Sequence, residues 1–132
     1  MRRIILSISI LFLTVTACKQ APRDAILVSH FPEIFPDYRQ IDIPVNIAPL
    51  NFKMKEKCRE IFVEFKGKKS SLTVSGDDRI NIPEKKWHEL LAAHTGNTIN
   101  VTVFTKDDEG WKQYQPFMLF VRDEPVDPWL VY

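Results

Sequence analysis

Two stretches of alternation constrain this chain more than anything else in it: Glu60-Ile61-Phe62-Val63-Glu64-Phe65-Lys66, and the run from Thr98 to Thr105. In the first, Ile61, Val63 and Phe65 share one face, and in the second Ile99, Val101 and Val103 do. That two-residue period is the pattern of a half-buried strand. A chain whose best-defined segments have this period folds by pairing strands, so their partners must lie nearby. Gly67-Lys68-Lys69 supplies a turn and Ser71 to Ser75 a hairpin partner, closed by Gly76-Asp77-Asp78. Arg79 to Ile82 is a further short extended piece. Lys106-Asp107-Asp108-Glu109-Gly110 reads as a hairpin loop that returns the chain along Trp111 to Val121, where Pro116 demands an edge position or a bulge.

Upstream, Ile41, Ile43 and Val45 alternate with Asp42, Pro44 and Asn46. Prolines at 32, 36, 44 and 49 each withhold a backbone donor, so this region is expected at a sheet edge. The period changes after Pro83. Trp87, Leu90, Leu91 and His94 recur at i, i+3, i+4 and i+7, Glu84 suits the positive end of a helix, and Gly96 stops it. His94 at the helix end is expected to favour the dipole as a cation. The expected fold class is therefore all-β, an immunoglobulin-like β-sandwich with one inserted amphipathic helix. Its expected core is Ile43, Val45, Ile61, Val63, Phe65, Leu72, Val74, Val101, Val103, Phe117 and Leu119.

The N-terminus reads as an address. Met1-Arg2-Arg3 is followed by fourteen residues, Ile4 to Ala17, without a charge. That run is shorter than the roughly 20 residues of a spanning helix and has the length and flanks of a secretory h-region. It closes on Leu13-Thr14-Val15-Thr16-Ala17-Cys18, which resembles the lipobox of bacterial lipoproteins. The resemblance implies cleavage before Cys18, a diacylglyceryl thioether on its sulfur and acylation of its freed amine. Two acyl chains already anchor stably, at ~0.8 kcal/mol per buried methylene, and three are effectively permanent. The expected organisation is a cleaved lipoprotein signal peptide over 1–17, lipidated Cys18 and a tether over 18–30, a β-sandwich domain over 31–122, and a linker-like tail over 123–132. Lys19-Gln20-Ala21-Pro22-Arg23 lacks both the aspartate of inner-membrane retention and an acidic surface-export cluster. The expected place is the outer membrane, on its periplasmic face.

Charge excludes one class of partner. The 132 residues carry 18 basic and 17 acidic side chains, and removal of 1–17 takes Arg2 and Arg3 with it. No field remains that would hold a phosphate backbone, so no nucleic acid is expected. With Cys18 lipidated, Cys58 has no partner for an internal disulfide and reads as a structural thiol at a strand start, with a thiol activated by Lys55, Lys57 and Arg59 as the alternative.

Catalysis needs a nucleophile or base held beside its partners, and none can be named. The chain reads as non-enzymatic, with no cofactor and no metal site. His88 and His94, six residues apart, point about 240° from each other on a helix and cannot share a metal. Asp107, Asp108 and Glu109 read as a solvated loop, with calcium as the alternative. Phe35, Tyr38, Trp111, Tyr114 and Trp129 are candidates for a surface that binds carbohydrate or peptide, because flat rings offer large contact area at low entropic cost; packing is the competing role.

Several motifs add a family resemblance. Phe35-Pro36-Asp37-Tyr38, Ile43-Pro44, Asn46-Ile47-Ala48-Pro49-Leu50-Asn51-Phe52, Pro83-Glu84-Lys85-Lys86-Trp87, Asn100-Val101-Thr102-Val103, Gly110-Trp111-Lys112-Gln113-Tyr114-Gln115-Pro116-Phe117 and Glu124-Pro125-Val126-Asp127-Pro128-Trp129 stand in order. Together, over about residues 31–132, they resemble the N-terminal domain of Bacteroidetes envelope lipoproteins that carry a TolB-like, WD40-like β-propeller. In that family a cytochrome-type Cys-x-x-Cys-His motif lies near the junction with the propeller, and neither has a counterpart in this sequence. The resemblance implies an accessory domain without a catalytic residue, standing alone or cut from a longer chain. It implies membrane attachment through lipid and a protein partner in the envelope, with a glycan ligand as the alternative.

Overall fold

The structure, a computed structural model, describes residues 19–125. The expected signal peptide over 1–17, the expected lipidation site Cys18, Trp129 and all of the expected tail beyond Pro125 lie outside the described residues. Within them the chain is mostly β with one α-helix. Its elements in chain order are β1 (Ile26–Leu27), β2 (Ile34–Phe35), β3 (Ile41–Pro44), β4 (Lys53–Met54), β5 (Glu60–Lys66), β6 (Ser71–Gly76), α1 (Glu84–Ala93), β7 (Thr98–Asp107), β8 (Gly110–Gln113) and β9 (Phe117–Arg122).

The two alternating stretches pair with each other. β5 and β7 run antiparallel, with Val63 opposite Val103, and β6 closes the hairpin on β5 with Val74 opposite Val63. Side chains on one pleat face therefore stack across three strands, and Ile61, Val63, Phe65, Ile99, Val101 and Val103 are all buried. The other side of β7 is shared. Its C-terminal half pairs with β8 and its N-terminal half with β9, both antiparallel. The register slips by one residue between them: Phe104 faces Gln113, whereas Val101 faces Phe117. Residues 114–116 thus hold a β-bulge at Pro116, which has no N–H to give to a ladder. The extra residue resets the alternation so that Tyr114, Phe117, Leu119 and Val121 all turn inward and are buried.

Two parallel pairings complete the seven-stranded sheet: β1 lies beside β8, and β3 beside β9 with Ile43 opposite Val121. β3 is the proline-bearing edge that the sequence predicts. A separate two-stranded sheet joins β2 to β4. Residues 51–54 are tied in turn to the extended piece 78–82, through the Lys53–Arg79 bridge and the Ile80 N–H donated to the Phe52 carbonyl.

The helix lies where its stripe requires. Trp87, Leu90 and Leu91 are buried, and the Trp87 ring meets Phe65 edge-on at 5.6 Å. Trp87 Nε1–H donates to the Ile47 carbonyl at 3.1 Å, so the indole's polar end is satisfied inside the body. Pro83 stands at the N-cap, in extended conformation, rather than in the first turn. Gly96, at φ 76°, takes the left-handed conformation that ends the helical path. All of the expected core is buried except Val45, which packs against the core half-exposed.

Candidate functional site

The face of the large sheet turned away from the helix carries an apolar pair that the alternation of β5 does not explain. Phe62 and Phe104 face each other across β5 and β7, with rings T-shaped and 5.8 Å apart. They are 4% and 5% exposed, yet they are not part of the main core. Their row continues to Ser75 on β6 at one side and to Gln113 and Leu27 at the other. Lys19 Nζ donates to Ser75 Oγ at 3.1 Å, whereas Ile26, seven residues later, sits in β1 at the opposite edge. The strand order β1-β8-β7-β5-β6 places four inter-strand steps between those points. At about 4.8 Å a step that is ~19 Å, close to the ~23 Å that seven nearly extended residues span. Residues 19–25 therefore cross this face, and Ala21, Pro22 and Ala25 within them are half-buried. The segment expected as a tether is in this way attached along the body, and the Val28 N–H donated to the Gln113 carbonyl at 2.8 Å secures its far end.

Among the described residues, the expected aromatic side chains Phe35, Tyr38, Trp111 and Tyr114 do not come together as one surface. Tyr114 is buried, its hydroxyl accepting from Thr105 Oγ1 at 3.3 Å, with His30 edge-on to its ring. It is thus a packing residue, carried inward by the bulge. Tyr38 is half-buried against the core. Trp111 lies on the outer face of β8, with Lys106 Nζ 5.9 Å from its ring centre. Phe35 is on β2, 58% exposed, with Lys53 Nζ 5.9 Å from its ring centre. It borders a shallow cleft of about 300 Å³ whose other walls include Asn51, Lys53, Arg79 and Asn81. Asn51 Oδ1 accepts the Ile82 N–H at 2.7 Å, so part of that wall is held by the backbone. Phe35 and Trp111 are therefore separate features on different elements.

Cys58 is half-buried just before β5, its Sγ 3.5 Å from the Asp77 carbonyl. Burial, and then the nearby Asp78 charge, push its thiol pKa up. This overturns the activated-thiol reading: the flanking basic side chains turn outward, and the sulfur sees a desolvating wall instead. In the β7–β8 loop, Asp107 pairs with Lys112 Nζ at 2.8 Å and accepts the Glu109 N–H, which together hold its carboxyl below the usual range. Asp108 pairs with Arg59. These acids are occupied as turn and ion-pair groups. No group of three or more possible metal ligands occurs among the described residues, and no described helix is long and apolar enough to cross a membrane.

Comparison of the chain with protein-family models, curated proteins and solved structures finds no match.

Proposed function

We propose that this chain is a lipoprotein of the bacterial envelope, anchored through acylated Cys18 to the periplasmic face of the outer membrane. Its β-domain serves there as a non-catalytic docking or scaffold module for an envelope protein. The observation that carries the reading is the charge-free run Ile4 to Ala17, opened by Arg2-Arg3 and closed on Cys18. The non-catalytic part is supported by the use of polar side chains: among the described residues the buried His94 is engaged by backbone groups and the buried Thr105 by the Tyr114 hydroxyl. The immunoglobulin-like assignment of the body, and its kinship with the N-terminal domain of TolB-like propeller lipoproteins, belong to the same proposal. The antiparallel β6–β5–β7 sheet with its alternating inner face supports the first, and the two parallel pairings are its departures from that pattern.

Mass spectrometry of the N-terminal peptide from a bacterial membrane fraction tests the anchor. The expected product begins at Cys18 and carries acyl chains, and Cys18→Ser leaves the protein out of the membrane fraction. An intact leader or a bare thiol overturns the assignment. A second reading rests on Phe35, whose exposed ring borders a cleft with amide and cationic walls. Such walls suit a carbohydrate or a short peptide. Calorimetric titration with envelope glycans tests it, and binding that survives Phe35→Ala eliminates it.

A further inference from the structure

We infer that residues 19–25 splint the domain to its anchor, so that the sheet end carrying Ser75, Lys55 and Lys57 is held against the phosphate headgroups of the bilayer that contains the acyl chains. This rests on acylation of Cys18 and goes beyond it, because an anchor alone does not orient the body it holds. Cys18 is joined by one peptide bond to Lys19, an advance of ~3.8 Å between Cα atoms. Lys19 is seated on Ser75, and the chain from there to β1 is laid across the sheet over Phe62 and Phe104. Between the acylated residue and the folded body there is thus no free length to act as a flexible linker.

The surroundings suit a headgroup layer. The Cys58 contact with the Asp77 carbonyl brings the 55–59 loop to the end of β6, two residues beyond Ser75. Lys55 and Lys57 are exposed there and form no ion pair among the described residues. Arg59 and Arg79, by contrast, are matched by Asp108 and Asp78. Glu56 and Asp77, and Asp37 through its attraction to Lys55, offset part of the lysine charge, so the acyl chains provide the attachment and the lysines select the face. The helix, on the other side of the sheet, ends at His94 beside the β5–β6 turn, at the opposite end of the strands from the 55–59 loop.

The test uses the acylated full chain, in which modification of Cys18 leaves introduced thiols as the labelling sites. In a Cys58→Ser background, a fluorophore is placed through Lys57→Cys or, on the exposed face of the helix, Glu89→Cys. Each protein is reconstituted into phosphatidylethanolamine vesicles containing a minority of phosphatidylglycerol and a headgroup quencher. The probe at 57 is expected to be quenched several-fold more than the probe at 89, and a flexible Gly-Ser insertion between Cys18 and Lys19 is expected to abolish the difference. Equal quenching in an acylated chain overturns the splint while leaving the anchor intact. A difference that survives the insertion shows that the body binds lipid by itself, and overturns the role of residues 19–25. A bare Cys18 in the same preparation overturns the anchor and the orientation together.

Discussion

His94 stands at the end of the helix, as its spacing implies, but not as an exposed cation. It is 1% exposed, its Nδ1–H donates to the Leu90 carbonyl at 2.8 Å, and its Nε2 accepts the Lys69 N–H at 3.1 Å. Both ring nitrogens are thus used, and the β5–β6 turn is pinned to the helix end through them. Gly67 lies so close to this imidazole that a Cβ there would overlap Nε2 and the neighbouring ring carbons. Gly67→Ala should therefore lower the unfolding free energy by about 2 kcal/mol, as an overpacking change, read from the urea midpoint. At the surface, the side chain of Arg39 and then its backbone N–H hold the Asp37 carboxyl down to about 2. A carboxyl whose folded pKa is depressed contributes stability at neutral pH and loses it as pH falls, here from about 4 toward about 2. Carbon-detected NMR titration should give Asp37 a midpoint near 2, and Arg39→Gln should return it to the ordinary carboxylate range. The pair is exposed, so added salt should move the midpoint upward.

Among elements, the bulge at 114–116 has the widest consequence. The alternation around Trp111–Val121 and the presence of Pro116 were enough to expect an interruption, yet the inward turn of Tyr114 followed from the register shift, which depends on how β8 and β9 divide the length of β7. Deleting Gln115 would remove the extra residue and leave Tyr114 and Phe117 two positions apart, so that both keep their inward faces in one continuous ladder along β7. That variant should keep native chemical-shift dispersion in its NMR spectrum, as should Gln115→Ala, and loss of dispersion in the deletion alone would show that the bulge itself is required for the fold. The hairpins and the helix were legible because each is specified by residues within about ten positions of one another. The parallel pairings of β1 with β8 and β3 with β9 were not. Ile41 and Leu119 are 78 positions apart, and neither local pattern names the other as partner.

For the whole molecule, the N-terminal segment is the feature that most changes the picture drawn from sequence. Phe62 and Phe104 look like exposed aromatics when β5 and β7 are read as half-buried strands, but the crossing of residues 19–25 accounts for their burial. A chain begun at Ser29 should lose about 2 kcal/mol, the order expected for partly uncovering two phenylalanines, and should bind a hydrophobic dye that the longer chain excludes. Unchanged stability and dye binding would show that the crossing segment covers nothing of consequence.

The residues alone determined the strand-rich class, the place and face of the helix and nearly all of the inner core. Each of these follows from a short period or a short motif, and such patterns carry their information within a few residues. Only the tertiary structure decided that Tyr114 is interior, that Phe35 and Trp111 stand apart, and that residues 19–25 lie across the sheet. Those outcomes depend on which distant segments meet, and the choice is made by burying both faces of the sheet together rather than by any single strand's pattern.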